Sequence, residues 1–448
     1  MNVMTSKFKL PDSRKAIDFG KYFLISLVLL LGLHLVANAN NSEVILQPKW
    51  TANIEASAKP IATDKQLFVI SPLKFSELKI GEGIPSELVA LDIASGKILW
   101  QQKLPPSQSL ARHQLMLDSG TIYVSHANGL VGFDPETGSP KTSFKYGEDK
   151  RGGIRDRTLG ISQDIAVYGD SIPIDESGSS RTGYQTKIFA INKEKPLWSY
   201  QLPKTNGLIG ISAIQPVVQN GILFLPSFHD TPKGRLEQFT VIDVRSGKVL
   251  WTWETAPRDP NGLWAADVFG DTIYTSVFGF TKTQPLGRIR AIALQTGKEK
   301  WSYTITGKVK AVSDREVFVW QSKDNSGGNF VVLDKETGKF LRKFTLTRVY
   351  DTEPPNLTLS DGLIYMPDME IKNVTLGFYG SADNNSWVNA FDDKTGKLVW
   401  RTPTLMNSHI YYPPIVNSTL DKPEKKHLIF ASNFLRQGSS KVQSFAIP

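Results

Sequence analysis

The stretch that decides the fold lies between residues 88 and 100 and reads LVALDIASGKILW. Its first half alternates in the manner of a β-strand, Ser95-Gly96-Lys97 reverses the chain, and a second strand starts before Trp100. Gly96 suits a tight turn because glycine adopts positive φ without a Cβ clash, and Asp92 can accept hydrogen bonds from the turn N–H groups. The stretch therefore predicts a β-hairpin whose tryptophan offers an apolar face to a neighbouring sheet.

The same hairpin recurs along the chain, with a short apolar strand, a Ser/Thr-Gly turn and, in most copies, a tryptophan. The repeat residues are Asp92, Gly96, Trp100, Asp134, Gly138, Trp198, Asp243, Gly247, Trp251, Gly297, Trp301, Asp334, Gly338, Asp392, Gly396 and Trp400. Successive copies lie about 45 to 55 residues apart, the length of one four-stranded propeller blade. Their periodic placement indicates turn stabilisation and inter-blade packing, so we do not expect them to be catalytic or binding groups.

The two ends of the chain predict how the repeats close into a ring. Trp50 lies about one period before Trp100 but has no hairpin ahead of it, so it belongs to an outer strand without a blade. The strands expected near 414–416, 427–431 and 442–447 lack an outer strand. Joining them predicts an all-β, eight-bladed β-propeller of four-stranded antiparallel blades, closed by an N-terminal outer strand that pairs with the C-terminal strands.

The first 39 residues have a different character. Basic residues precede an uncharged run from Tyr22 to Val36, and Ala37-Asn38-Ala39 follows. Residues 1–39 therefore predict a secretory signal peptide, with an uncleaved signal anchor as the alternative. Either reading places residues 40–448, a single propeller domain, in the periplasm or another extracytoplasmic compartment. Membrane contact is expected only if the N-terminal helix is uncleaved.

Composition excludes several kinds of site. The chain has no cysteine, which rules out disulfides, thiolate catalysis, zinc–thiolate sites and an N-terminal lipid anchor on cysteine. The net charge of +9 comes without a Lys/Arg block, so no nucleic-acid partner is expected. The histidines after residue 39 show no metal-ligand spacing and are interpreted as ordinary surface or buried residues. They are His113, His126, His229, His409 and His427.

The pattern Ala-Leu-Asp-x-x-Ser/Thr-Gly-Lys-x-x-Trp resembles the repeat of pyrroloquinoline-quinone (PQQ)-type propellers over residues 45–448. In character the chain is closer to the non-enzymatic exported propellers, such as the outer-membrane barrel-assembly lipoprotein BamB, than to quinoprotein alcohol dehydrogenases. The dehydrogenases of this group carry a vicinal cysteine pair, which this chain cannot have, together with calcium and a catalytic aspartate. No calcium-binding loop of alternating Asp/Asn stands out. BamB itself is lipidated on a cysteine that this chain lacks.

We therefore expect an exported, non-enzymatic scaffold that binds protein partners of the cell envelope and needs no cofactor. The alternative is a PQQ- and calcium-dependent oxidoreductase. A third alternative is a saccharide-binding propeller, with Trp387, Phe378 and Tyr379 as loop aromatics.

Antiparallel alternation within a blade, with strands A to D in chain order, separates two rims. All C-to-D turns lie on one rim, and the B-to-C loops and the D-to-A connections between blades lie on the other. The insertions, among them 171–185, 227–237, 278–287 and 368–386, fall on the second rim, which is the predicted binding face. Arginine with aromatic residues is typical of interface anchors, although solvated loop charges are the alternative. The candidates for an anionic ligand or an extended partner segment are Arg151, Arg155, Arg157, Arg258, Asp259, Trp264, Arg348, Asp351, Glu353, His409 and Tyr411.

Overall fold

A computed structural model describes most of the chain after residue 43. The described residues are 44–448 without 73–84, 106–112, 127–128, 147–157, 174–183, 203–215, 232–233, 255–262, 281–284, 323–327, 347–356, 375–381, 420–421 and 435–439. The predicted signal peptide, residues 1–39, lies outside them. All strands belong to one compact unit, Leu46–Pro448.

Eight antiparallel sheets form the unit, and the predicted eight-bladed propeller is confirmed. A short strand, β1 (Trp50–Ala52), precedes the first complete blade. Blade one contains β2 (Ile61–Ala62), β3 (Gln66–Pro72), β4 (Ser86–Asp92) and β5 (Ile98–Lys103), and blade two contains β6 (Leu115–Asp118), β7 (Thr121–His126), β8 (Gly129–Phe133) and β9 (Pro140–Lys145). Blade three contains β10 (Thr158–Ser162), β11 (Ile165–Pro173), β12 (Tyr184–Asn192) and β13 (Lys195–Gln201). Blade four contains β14 (Val217–Gln219), β15 (Ile222–Thr231), β16 (Gly234–Asp243) and β17 (Val249–Glu254).

Blades five to seven follow the same order. Blade five contains β18 (Leu263–Phe269), β19 (Thr272–Phe280), β20 (Pro285–Ala293) and β21 (Glu299–Thr304). Blade six contains β22 (Lys308–Val312), β23 (Glu316–Ser322), β24 (Gly328–Asp334) and β25 (Phe340–Thr345). Blade seven contains β26 (Thr358–Ser360), β27 (Leu363–Val374), β28 (Ala382–Asp392) and β29 (Leu398–Arg401). The second and third strands of a blade are almost fully buried, whereas the fourth alternates with exposed residues, as expected for an outermost strand.

Blade eight closes the ring in the predicted way. It combines β30 (Ser408–His409), β31 (Ile415–Thr419), β32 (Lys422–Phe434) and β33 (Lys441–Ala446) with β1, in which Trp50 pairs with Ser444 and Ala52 with Val442. The segment before β1 also reaches blade seven, because the Leu46 N–H donates to the Arg401 carbonyl at 2.9 Å. Both ends of the chain therefore hold the ring closed.

The core lies between neighbouring blades. Leu67 of β3 packs in one cluster with Ile429 of blade eight, and the next residue, Phe68, packs in another with Ile122 of blade two. Successive residues of a strand point to opposite faces of the sheet, so each central strand contributes to two cores.

A tryptophan on the outer strand of one blade fastens it to the C-to-D turn of the next. Its indole Nε1 donates to the carbonyl of the residue that follows the turn aspartate. In blade five Ala293 stands in place of that aspartate, and the acceptor is the carbonyl of Leu294. The pairs are Trp50 with Ile93 at 2.8 Å, Trp100 with Pro135 at 2.9 Å, Trp198 with Val244 at 2.7 Å, Trp251 with Leu294 at 2.9 Å and Trp301 with Lys335 at 2.7 Å.

The turn beneath each tryptophan is shaped by its aspartate and glycine. The aspartate Oδ1 accepts from the N–H three residues on, at 2.7 to 2.9 Å for Asp92, Asp134, Asp243, Asp334 and Asp392. The turn glycines have φ between 67° and 71°, and a Cβ added to them would lie 2.5 or 2.6 Å from the ring that covers the turn. Side-chain hydrogen bonds from Ser246, Thr337 and Thr395 lower the pKa of Asp243, Asp334 and Asp392, respectively.

Blade six replaces the tryptophan with an arginine. Pairing with Val332 puts Arg342 at the position that Trp100 occupies in blade one and Thr142 in blade two. The Arg342 guanidinium donates through Nη2 to the Asp393 carbonyl at 2.8 Å, the acceptor equivalent to those used by the indoles. It also forms a bidentate pair with Glu316, at 2.6 and 2.8 Å. The inter-blade hydrogen bond is thus retained with a different donor.

Candidate binding face

The two rims of the ring differ in the structural roles of their residues. We call the rim of the C-to-D turns the turn rim and the opposite one the loop rim. On the turn rim, the aspartates, glycines and tryptophans of the repeat are occupied with one another across the blade junctions. The loop rim carries the predicted face, and its structure differs from the expectation in one respect.

Several insertions on the loop rim are extensions of the strands and not loops. In blades three, four, five and seven, the second and third strands continue their ladder past the ends of their neighbours. The two-stranded extensions are 171–173 with 184–186, 228–231 with 234–237, 278–280 with 285–287, and 367–374 with 382–388. We call them the projecting ribbons. The prediction of irregular loops at these places was wrong, because backbone pairing continues where the apolar pattern stops.

The projecting ribbons of blades three to five lie on consecutive blades. Within the described residues, no third strand pairs with those three, so each ribbon has two edges of main-chain donors and acceptors. The ribbon of blade seven is partly covered, since Ser386 forms a bridge to Leu405. Unpaired strand edges are the surface to which an extended segment of another chain can add.

Most of the candidate residues of the loop rim fall outside the described residues. Those are Arg151, Arg155, Arg157, Arg258, Asp259, Arg348, Asp351 and Glu353. Trp264 lies on β18, where only the backbone is described. The proposed arginine cluster therefore stays a prediction.

His409 and Tyr411 are brought together by the structure. Their ring centroids are 4.0 Å apart, with an angle of 39° between the planes. His409 pairs with Asn433 of β32, its Nδ1 is buried without a hydrogen-bond partner, and burial lowers its pKa. Tyr411 is exposed, and the neighbouring Tyr412 hydroxyl donates to the Ser57 carbonyl at 3.3 Å. This aromatic pair is a fixed feature of the loop rim where blades seven, eight and one meet.

Trp387 is not a loop aromatic. It lies on β28 with 4% of its surface exposed, and the Arg401 guanidinium stands 5.4 Å from its ring centroid. A sugar cannot stack on a ring that is covered in this way. Phe378 and Tyr379 lie outside the described residues.

Blade seven also contains a buried carboxylate, Asp368, and carboxylate oxygens are the usual ligands of calcium. Asp368 is 3% exposed, and its oxygens accept from the Met369 N–H at 3.0 Å and the Asn389 amide at 3.1 Å. Glu370 likewise accepts from the Asn385 amide at 3.2 Å. These oxygens therefore already accept hydrogen bonds from a backbone N–H and from side-chain amides.

The remaining amide oxygens do not complete a cation shell. The Oδ1 atoms of Asn384 and Asn385 are buried without a hydrogen-bond partner, but successive residues of β28 point to opposite faces of the sheet. Across the part of the chain that the structure describes, no three His, Cys, Asp or Glu residues converge. Calcium takes about six to eight oxygen ligands, and the described residues do not fit that requirement.

Sequence reasoning missed the relation between two histidines on the loop rim, His113 and His126 in blade two. These residues were interpreted as scattered, but they lie at opposed positions on either side of the β6–β7 turn. Both histidines are equally far in sequence from the Ser119-Gly120 turn, which indicates that they are opposed once the strand register is known.

The fold and the hairpin repeat define the class of protein as a PQQ-type β-propeller. A family model matches residues 49–276, 169–316 and 285–409. The chain belongs to this family, which is described as outer membrane protein assembly factor BamB.

The individual proteins to which the chain is similar include quinohemoprotein alcohol dehydrogenases. The chain is 30% identical over 182 residues to quinohemoprotein alcohol dehydrogenase ADH IIB of Pseudomonas putida, a match over 38% of this chain and 24% of that protein. The chain thus spans about a quarter of the length of this curated relative. The solved structure of quinohemoprotein alcohol dehydrogenase ADHIIG from Pseudomonas putida HK5 is similar, with a TM-score of 0.53, 12% identity, and coverage of 90% of this chain and 76% of that one.

A second solved structure, quinohemoprotein alcohol dehydrogenase from Comamonas testosteroni, has a TM-score of 0.45 and 13% identity over 90% of this chain and 76% of that one. At these identities the structural likeness concerns the fold alone. None of the described residues forms a helix that is long and apolar enough to cross a membrane.

Proposed function

We propose that this protein is an exported, non-enzymatic scaffold that binds a protein partner in the cell envelope through its loop rim. The family to which it belongs is described by a role in outer membrane protein assembly. A component of that assembly process is therefore the partner class that we propose.

The observation that carries the proposal is the row of projecting ribbons on blades three to five. A ring of inter-blade cores and tryptophan links holds the bases of these ribbons in fixed positions. Their edges, to which no other strand pairs within the described residues, offer main-chain hydrogen bonds to an extended segment, and this mode of recognition needs neither a catalytic group nor a cofactor. Rigid presentation also lowers the ordering cost of binding.

Site-specific photo-crosslinking tests this assignment. A photoreactive residue at position 230, on the blade-four ribbon, is compared with one at Lys298, an exposed position on the turn rim. We expect a discrete crosslinked product in envelope preparations from position 230 only. Equal products from both positions, or a product from Lys298 alone, would contradict docking through the loop rim.

Deleting the ribbon tests the edges directly. Because Phe228 and Glu237 are directly paired, residues 229–236 can be replaced by Asn-Gly, which closes a two-residue hairpin. We call this chain the ribbon-shortened variant. It should lose the partner while the ring remains folded; full partner binding by the folded variant would exclude the blade-four ribbon.

The second candidate is a PQQ- and calcium-dependent oxidoreductase, and the match to a quinohemoprotein alcohol dehydrogenase favours it. The hydrogen-bonded state of Asp368 and Glu370 is an argument against it. Addition of PQQ and Ca²⁺ to the purified chain, followed by equilibrium dialysis and a dye-linked alcohol oxidation assay, separates the candidates. Stoichiometric quinone binding with turnover would replace the scaffold assignment.

A further inference from the structure

The blade junctions share an apolar cluster but differ in the link at their outer edge. We name each junction by the two blades that it joins. An indole donates to the turn of the next blade at junctions eight–one, one–two, three–four, four–five and five–six, and Arg342 does so at six–seven. At junction seven–eight, Trp400 is 2% exposed and packs in one cluster with Leu46 and Phe445. Within the described residues, junction two–three departs from this pattern.

Both halves of the link are missing at junction two–three. On the outer strand of blade two, Thr142 is paired with Gly132 and stands where the indole would be. On blade three, Asn192 is paired with Lys195, so the C-to-D turn consists of the two residues between them and has no glycine for a ring to cover. A tryptophan buries about 150–250 Å², which a threonine cannot replace. The outer edge therefore lacks the hydrogen bond and the apolar contact together.

The polar contacts that remain on the turn rim of this junction are weak. Lys145 and Glu194 form an ion pair at 3.1 Å with side chains 73% and 68% exposed, and exposed ion pairs contribute little to stability. The Tyr123 hydroxyl donates to Asp164 Oδ1 at 3.3 Å, and the Asp164 N–H donates to Asp118 Oδ2 at 3.4 Å. Both distances exceed the usual range for such hydrogen bonds.

The junction at which the chain ends close the ring is better held. Besides the Trp50 indole, the Asn433 amide donates to the Ala56 carbonyl at 2.8 Å, and the Ala56 N–H donates back to Asn433 Oδ1 at 3.3 Å. Parting of blades two and three breaks no strand ladder, because each blade is a separate sheet. Local opening of a folded protein begins where the contacts are fewest, and the comparison therefore singles out junction two–three.

We propose that the ring opens at junction two–three, while the other junctions stay closed. Opening there separates the two blades and brings solvent to their shared cluster, which includes Tyr123, Phe144, Ala166 and Tyr168. Blade three carries the first of the projecting ribbons, so opening also changes the position of that ribbon relative to blade two. The opening rests on the inter-blade contacts alone and does not depend on the partner assignment.

Thiol labelling of single-cysteine variants tests the proposal, because the chain has no cysteine of its own. Ala166→Cys reports on junction two–three, and Ala190→Cys is the matched control at junction three–four, where the Trp198 indole is in place. Both alanines belong to central strands of blade three and are 0% exposed. Labelling with a small thiol reagent is followed in native buffer at one pH, and the global unfolding rate of each variant is measured separately.

We expect Ala166→Cys to react more than about tenfold faster than Ala190→Cys and faster than the chain unfolds globally. Trp198→Ala should raise the rate at Ala190→Cys toward that at Ala166→Cys and leave the latter unchanged. The proposal is overturned if the two cysteines react equally fast, if Ala190→Cys reacts faster, or if Ala166→Cys reacts only at the rate of global unfolding.

A second pair of reporters applies if Ala166→Cys or its control fails to fold, as judged by near-ultraviolet circular dichroism. Ile191 and Ile188 both lie on β12 and are 4% and 0% exposed. Ile191 packs in the cluster of junction two–three, and Ile188 packs in that of junction three–four. Ile191→Cys should react faster than Ile188→Cys by a similar factor, and equal rates would overturn the proposal in the same way.

Discussion

Replacing Gly297 by alanine should destabilise the ring through two separable effects. Gly297 has a φ of +68°, a region that costs an L-residue about 1–2 kcal/mol. The new Cβ would also lie 2.6 Å from the Trp251 ring. Moving the ring away weakens the Trp251 hydrogen bond to the Leu294 carbonyl, which contributes about 1 kcal/mol, and loosens the inter-blade packing. We expect a total loss of about 2–4 kcal/mol in unfolding free energy.

Gly120→Ala is the matched control. Gly120 has a φ of +72°, and no heavy atom lies within 4 Å of its added Cβ. This variant isolates the backbone cost, about 1–2 kcal/mol. Denaturant unfolding curves with equal slopes provide the comparison, because the midpoint then reports stability. The excess loss in Gly297→Ala measures the contact with the tryptophan.

A double variant tests whether Gly297 and Trp251 act through the same contact. Once Trp251→Ala has removed the ring, adding Gly297→Ala should cost only what Gly120→Ala costs, so the two changes are not additive. Equal losses in Gly297→Ala and Gly120→Ala, or full additivity with Trp251→Ala, would refute the tryptophan link as a stabilising contact between blades four and five.

Three further outcomes follow from the same structure. Arg342→Gln should lower the unfolding free energy by about 1–3 kcal/mol, since a charge-assisted pair with Glu316 and an inter-blade bond are lost; no change in the denaturant midpoint would contradict this. Burial, and then the Lys49 charge, lower the pKa of His427. The unfolded state therefore binds more protons, and stability should fall as the pH drops below about 6.5; His427→Gln should flatten that dependence, and an identical pH profile would oppose it. The ribbon-shortened variant should keep its thermal midpoint, because the deleted residues lie beyond the four-stranded part of the blade, and a large drop would mean that the ribbon supports the ring.

The sequence by itself determined the architecture. A hairpin repeated at blade length, and an unmatched Trp50 strand at one end with three strands at the other, are enough to predict eight blades and their closure. These features are local and periodic, so each copy of the hairpin strengthens the prediction that the other copies are blades. The positions of the turn aspartates and glycines follow for the same reason.

The tertiary structure decided the features that depend on register. Arg342 follows Gly338 at the spacing at which Trp100 follows Gly96, but only the structure shows that its guanidinium donates to the Asp393 carbonyl and pairs with Glu316. The projecting ribbons exist because two strands continue to pair where no apolar pattern marks them. His113 and His126 face each other because the turn between them fixes which residues are opposed. Strand pairing joins residues by position and not by type, and a single sequence does not encode position as a local pattern.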